Sequence, residues 1–179
     1  MKKVAIIIGS TRPSRRSLTV AKWIKSVLSS SKEITFDTID LKKINLPFLD
    51  ESALPALGKY SQEHTKKWSA LIKSYDGLIL LFPQYNSGYP APLKNALDYL
   101  GKEWSNKPIS MVTYGAHGGL QAQIAMKLVL TGFHAKQLAV NPQISINPMD
   151  SDEDVTTKLN AYNFEIELLE REFEHVLAN

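Results

Sequence analysis

With 179 residues, 44% of them hydrophobic, the chain suffices for about one domain that buries roughly 70% of the surface its unfolded form exposes. It has no cysteine, which excludes disulfides, thiolate nucleophiles, Cys-ligated zinc and iron–sulfur clusters, so any redox chemistry has to come from a bound organic group. A net charge of +3, carried in short cationic groups, speaks against a nucleic-acid surface and suits small anions. With no signal-type leader and no apolar stretch near the roughly 20 residues a bilayer requires, the expectation is a cytoplasmic protein without a membrane anchor.

The first predicted strand covers residues 3–8, a continuous apolar run of the kind found in parallel strands covered on both faces. It runs directly into Gly9-Ser10-Thr11-Arg12-Pro13-Ser14-Arg15-Arg16-Ser17, and a helical pattern follows with Leu18, Ala21, Ile24, Val27 and Leu28. That is the layout of a phosphate cradle: hydroxyl donors and up to three guanidinium groups stand at a helix N-terminus, whose unpaired amides and dipole favour an anion. The turn has one glycine where the dinucleotide fingerprint has three, and no Gly-Lys-Ser/Thr, so ATP hydrolysis is disfavoured and a single terminal phosphate is the better fit.

A second strand is expected over 34–39, followed by a long connection through residue 58 with prolines at 47 and 55. This connection either shapes a substrate side and a subunit contact or is an ordered surface loop with Leu46, Phe48 and Leu49 tucked onto the core. After a helical pattern at Trp68, Leu71, Ile72 and Tyr75 comes a third strand over 77–82 and then Pro83-Gln84-Tyr85-Asn86-Ser87-Gly88-Tyr89-Pro90. Prolines stiffen this loop, Gly88 permits close approach, and Tyr85 and Tyr89 offer flat faces with polar tips; such a loop suits a planar heterocycle. A helix then carries Leu93, Ala96, Leu97 and Leu100. The fourth strand, 108–113, leads into Tyr114-Gly115-Ala116-His117-Gly118-Gly119, where bare backbone can offer amides to a ligand, and a helix with Ile124, Met126, Leu128 and Val129 follows. A fifth strand is expected over 137–146. One closing helix then carries Val155, Leu159, Tyr162, Ile166, Leu169, Phe173, Val176 and Leu177 behind an acidic start. No histidine and carboxylate spacing points to a metal.

Three of these segments, Gly9-Ser10-Thr11-Arg12 with Ser17, Pro83-Gln84-Tyr85-Asn86 with Pro90 and Leu93-Lys94-Asn95-Ala96-Leu97-Asp98, and Tyr114-Gly115 with Gly118-Gly119, stand in the order and spacing of a known family. The chain resembles the NADPH-dependent FMN reductase-like flavoproteins, which include quinone, azo-dye and chromate reductases, over almost its whole length. It departs from them at Gln84, where the family's usual loop has glutamate, and at Leu18, where many relatives carry asparagine.

The resemblance implies a single flavodoxin-like domain over 1–179, a three-layer α/β sandwich with a five-stranded parallel sheet in the order 2-1-3-4-5 and helices on both faces. That order puts the switch point between strands one and three, so that the arginine turn and the tyrosine loop face each other. It further implies an FMN-dependent oxidoreductase with NADPH or NADH as co-substrate, in which hydride passes to the flavin and then, in a ping-pong cycle, to a quinone, azo, metal-oxyanion or flavin acceptor. Ser10, Arg12, Ser17 and Thr19 would hold the phosphate next to Leu18, with Arg15 as a further contact and one of Arg15 and Arg16 available to an NADPH phosphate. Pro83, Gln84, Tyr85, Asn86 and Ser87 would line the ring, and Gly115, His117, Gly118 and Gly119 would close its pyrimidine edge. No catalytic acid or base is implied, since the flavin carries the chemistry. The partners implied are a small-molecule electron acceptor and a second copy of the chain, in a homodimer or homotetramer with the helix after the tyrosine loop at the contact. A carrier or regulator that binds FMN but turns over little nicotinamide is the alternative.

Overall fold

The predicted strands find parallel partners in one sheet, and the three inner ones, buried on both faces, have to be covered by helices on either side. The computed structural model describes residues 1–178. Strands β1 (Lys2–Ile8), β2 (Ile34–Asp40), β3 (Gly77–Pro83) and β4 (Pro108–Gly115) line up in the order β2-β1-β3-β4, with β5 (Lys136–Gln137) and β6 (Gln143–Ser145) both against β4. The register sets Ile8 beside Asp40 and Leu81, and Pro83 beside Tyr114.

Helices α1 (Ser17–Val27), α6 (Asp152–Asn160) and α7 (Asn163–Ala178) cover one face, over a core of Ile6, Ile8, Val20, Ile24, Ile79, Leu81, Val155, Ile166 and Phe173. The opposite face carries α3 (Glu63–Lys73), α4 (Ala91–Asp98) and α5 (Leu120–Gly132), packed over Ile7, Leu78, Leu80, Phe82, Trp68, Leu97, Trp104 and Met126. Between β2 and α3 lie a single helical turn, α2 (Leu41–Ile44), and a 3-10 turn at Pro55–Leu57. This is the doubly wound 2-1-3-4-5 architecture expected from the sequence, and among the described residues no helix is long and apolar enough to cross a membrane.

Two elements differ from their expected extent. The fifth strand is broken into β5 and β6 because the chain between them gives its amides to side chains instead of to β4. The Glu172 carboxylate accepts from Ala139 N at 2.7 Å and Val140 N at 2.8 Å, and Pro142 has no N–H to give. Across the gap, Asn141 Oδ1 accepts from Met111 N at 2.8 Å, so a side chain replaces one rung of the ladder. The closing helix is likewise two helices. Residues 161–162 tighten into short-range bonds, Ala161 N to Lys158 O and Tyr162 N to Leu159 O, and the break lets the Tyr162 hydroxyl accept from Ser145 N at 3.1 Å.

Some expected inward residues also face outward. In α5 the core side is Ala122, Gln123, Met126 and Leu130, whereas Leu120, Ile124 and Leu128 form an exposed stripe at four-residue spacing. In α1, Leu18 is exposed while Val20 and Trp23 turn inward. In the long connection Leu46 packs on the core, but Phe48 is 88% exposed and Leu49 is exposed as well.

The break in the fifth strand depends on one carboxylate, so Glu172→Ala should cost about 2 kcal/mol, the value of losing charge-assisted bonds to two amides, and Glu172→Gln should cost less. Urea unfolding of the two variants beside the parent protein measures this.

Candidate functional site

The turn after β1 begins where Gly9 donates to Leu81 O at 2.8 Å. A Cβ at Gly9 would stand 3.0 Å from Leu93 Cδ2 and 3.3 Å from Phe82 Cβ, so glycine is what lets the turn lie against the start of α4. The turn is then pinned at both ends. Ser10 Oγ lies 2.6 Å from Tyr85 Oη, and Ser17 Oγ lies 2.9 Å from Tyr114 Oη, with both serines fully buried. Burial pushes the Tyr114 hydroxyl well above the ordinary tyrosine range, so it stays protonated at any pH the protein meets.

Helix α1 starts at this turn with no side-chain cap and no acidic residue in its first turn. Its first intrahelical bond runs from Val20 N to Arg16 O, which leaves the earlier amides pointing out of the helix end. Leu18 and Thr19 sit there, exposed.

The three arginines have separate fates. Arg12 is exposed, its guanidinium carbon 5.8 Å from the centroid of the Tyr85 ring in a cation–π arrangement. Arg15 turns inward: its side chain is 5% exposed, Nη2 donates to Asp40 Oδ2 at 2.5 Å, Nη1 donates to Arg12 O at 3.3 Å, and Nε is buried with no partner. Arg16 reaches the start of α6, donating to Asp150 O at 2.6 Å and pairing with Asp152. The sequence offered Arg15 and Arg16 as open anion contacts; each already holds a carboxylate.

After β3, Tyr85 and Gly88 exchange backbone bonds at 2.8 and 2.9 Å around Asn86 (φ 46°) and Ser87 (φ 64°), a tight turn with two left-handed central residues that places both side chains in solvent. Tyr89 is half-buried and packs against the core of the face that carries α4. Gln84 has a structural task that its position in the motif did not reveal. Its N donates to Tyr114 O at 3.1 Å, and its Oε1 accepts from Gln121 N at 3.1 Å and Ala122 N at 3.3 Å. It thereby caps α5 from another loop, since the residue at the cap position, Gly119, has no side chain to do so.

The loop after β4 requires its glycine pair. Gly118 and Gly119 have φ of 68° and 79°, and a Cβ on either would come within 3.0 Å of Gln143 or Thr113. Gly115 O accepts from Gly118 N at 3.1 Å and Ile146 N at 3.0 Å, and His117 stands exposed at the loop tip.

These loops enclose a cavity of about 340 Å³ whose wall includes Arg12, Arg15, Pro83, Gln84, Tyr85, Tyr114 and Gly115. Of the predicted site residues, Ser10 and Ser17 lie buried behind this wall, Leu18 and Thr19 sit on the helix end, Gly118 and Gly119 are buried beneath the fourth loop, and Asn86, Ser87 and His117 project from loop tips. The sequence missed Ile146, Asn147 and Pro148, which complete the wall after β6. Their only trace in the sequence is Pro148, a stop shortly after a strand. A second, wider cavity of about 490 Å³ lies on the other side of the turn, between Thr11, α2 with Leu46 to Phe48, and the start of α4.

Residues 2–147 match the sequence profile of the family described as NADPH-dependent FMN reductase. The chain belongs to that family. It is 41% identical over 139 residues to an NAD(P)H-dependent FMN reductase of Schizosaccharomyces pombe, covering 76% of this chain and 69% of the relative. It is 34% identical over 176 residues to an NAD(P)H-dependent FMN reductase of Saccharomyces cerevisiae, covering 92% of each. Among solved structures, an FMN-dependent NADH-azoreductase of Bacillus anthracis in complex with FMN superposes with a TM-score of 0.64 over 94% of this chain and 99% of that one, at 14% identity. The family's fold is therefore retained far beyond recognisable sequence likeness.

If Gln84 caps α5, Gln84→Ala should destabilise the protein by about 1 kcal/mol, a typical cap deletion. Gln84→Glu keeps both bonds and adds a negative charge at the positive end of the helix, which should stabilise by about 0.5 kcal/mol. Thermal unfolding at low ionic strength distinguishes the two variants.

Proposed function

We propose that the protein is an NAD(P)H-dependent oxidoreductase that uses FMN to reduce a small-molecule acceptor of the quinone or azo class. The observation that carries this reading is the joining of three loops around one cavity, with the uncapped end of α1 and the unpaired Arg12 on one side and the Tyr85 turn and the Gly115 loop on the other. The donor set fits a flavin mononucleotide. Each tyrosine–serine pair contains two hydroxyl protons and spends one on its internal bond, so Ser10 with Tyr85 and Ser17 with Tyr114 each retain a donor for a phosphate oxygen. The buried, unpartnered Arg15 Nε adds a polar atom beside the same turn.

In this reading the amides of Leu18 and Thr19, the Thr19 hydroxyl and the Arg12 guanidinium bind the phosphate; Leu18 supplies backbone only. Pro83, Gln84, Tyr85, Asn86 and Ser87 bound the ring on one side, and Gly115, His117, Gly118 and Gly119 meet its pyrimidine edge. Bound FMN supplies the capacity to take a hydride from a nicotinamide and deliver electrons to an acceptor. The chain's own part is to hold, orient and shield. Among the described residues Arg12 is the guanidinium of the cavity with no carboxylate partner, so it is the group that meets incoming anions, whether flavin phosphate or the phosphates of NADPH. Proteins similar to this chain include an NADPH azoreductase of a Bacillus species and a quinone reductase of Pseudomonas putida, which supports a planar, conjugated acceptor.

The exposed stripe of Leu120, Ile124 and Leu128 supports assembly with a second copy of the chain, since it places three large apolar side chains in line on a helix beside α4. Light scattering should give a dimer or tetramer, and the double substitution Ile124→Asp with Leu128→Asp should give the 20.0 kDa monomer; a monomer before substitution contradicts assembly.

The activity itself is tested by mixing the FMN-saturated protein anaerobically with NADPH and with NADH and following the flavin absorbance. Bleaching within seconds by at least one donor, and recovery on adding a quinone, is the expected result. Tight FMN binding without bleaching would turn the reading toward a carrier or sensor.

A further inference from the structure

One carboxylate bonds to a wall residue of each cavity. Asp40 ends β2 directly beside Ile8, the last residue of β1, and its two oxygens are used on opposite sides. Oδ2 accepts from Arg15 Nη2 at 2.5 Å, and Arg15 belongs to the wall of the 340 Å³ cavity. Oδ1 accepts from Lys42 N at 3.0 Å and caps α2, whose Leu41 and Lys42 belong to the wall of the 490 Å³ cavity. The Arg15 and Asp40 side chains are only 5% and 9% exposed, so the pair is held in the protein and not in solvent.

Burial decides what the pair does. An arginine this deeply placed cannot remain there without its carboxylate, because an uncompensated buried charge is strongly unfavourable and the side chain would leave for water. While it stays, Arg15 Nη1 holds the Arg12 carbonyl and so fixes the backbone from which the exposed Arg12 guanidinium projects.

We propose that Asp40 is a positioning residue that shapes the phosphate turn through Arg15 and, with its other oxygen, holds α2 at the edge of the second cavity. The proposal rests on the FMN-dependent reading above and deepens it. It also assigns the two oxygens separable effects: the charge serves the cofactor phosphate, and the cap serves α2.

The test compares FMN with riboflavin, which lacks the phosphate, by fluorescence titration of the flavin-free protein, and then measures the thermal unfolding of each variant. Asp40→Asn keeps a carbonyl for Lys42 N but removes the charge. It should weaken FMN about tenfold and leave riboflavin within about twofold. Asp40→Ala should weaken FMN equally and also unfold at a lower temperature than Asp40→Asn, because α2 loses its cap as well. Arg15→Gln should reproduce the FMN loss, and adding Asp40→Asn to it should cost nothing further, since the two act as one unit. The proposal is overturned if Asp40→Asn weakens FMN and riboflavin alike, if it tightens FMN as removal of a merely repulsive charge would, or if the two substitutions add. If the parent protein binds no FMN, the functional reading fails, and the proposal with it.

Discussion

Strand β1 stops at Ile8, level with Leu81 of β3, while β3 continues to Pro83 and β4 to Gly115. The sheet edge therefore has a step of two to three residues, roughly 7 Å at the rise of a parallel strand. The phosphate turn lies in this recess, and Tyr85 and Tyr114, carried on the higher strands, reach back across it to Ser10 and Ser17. The cavity is the space left between the recessed turn and the two raised loops. Shortening either raised strand would remove the tyrosine that pins the turn and one wall of the site.

The charges around this step are arranged with the same economy. Three arginines follow one another closely in the turn, yet the described structure gives Arg15 to Asp40 and Arg16 to Asp152. The local charge facing the cavity is then chiefly that of Arg12, joined by helix amides whose partial positive charge needs no counter-ion. The two engaged arginines serve as tethers, one to the end of β2 and one to the C-terminal helices. That explains how residues 146–148, beyond the strands that carry the recognisable motifs, come to complete the wall.

Much of this was legible in the sequence because it depends on local pattern. The strands over 3–8, 77–82 and 108–113 are apolar on both faces and could only be buried, and the motifs after them fixed which loops meet at the switch point. What was hidden depends on distant partners. Nothing near residue 139 announces that Glu172, far along the chain, will take two amides and break the fifth strand. Nothing near Arg15 names Asp40. The spacing of Gln84 in the motif points to a ring contact; that its carbonyl also caps α5 is visible only once Gly119 is seen to leave that helix end uncapped. In α5 apolar residues occur on both sides of the helix, so periodicity could not tell the buried Met126 from the exposed Leu128.

The most direct measurement is a crystal structure of the protein with FMN bound. The account predicts the phosphate at the start of α1, within hydrogen-bond reach of the amides of Leu18 and Thr19 and beside Arg12, with the ring between the Tyr85 turn and the loop from Gly115 to Gly119. A phosphate seated instead in the 490 Å³ cavity, near Lys42 and Asn45, would contradict it.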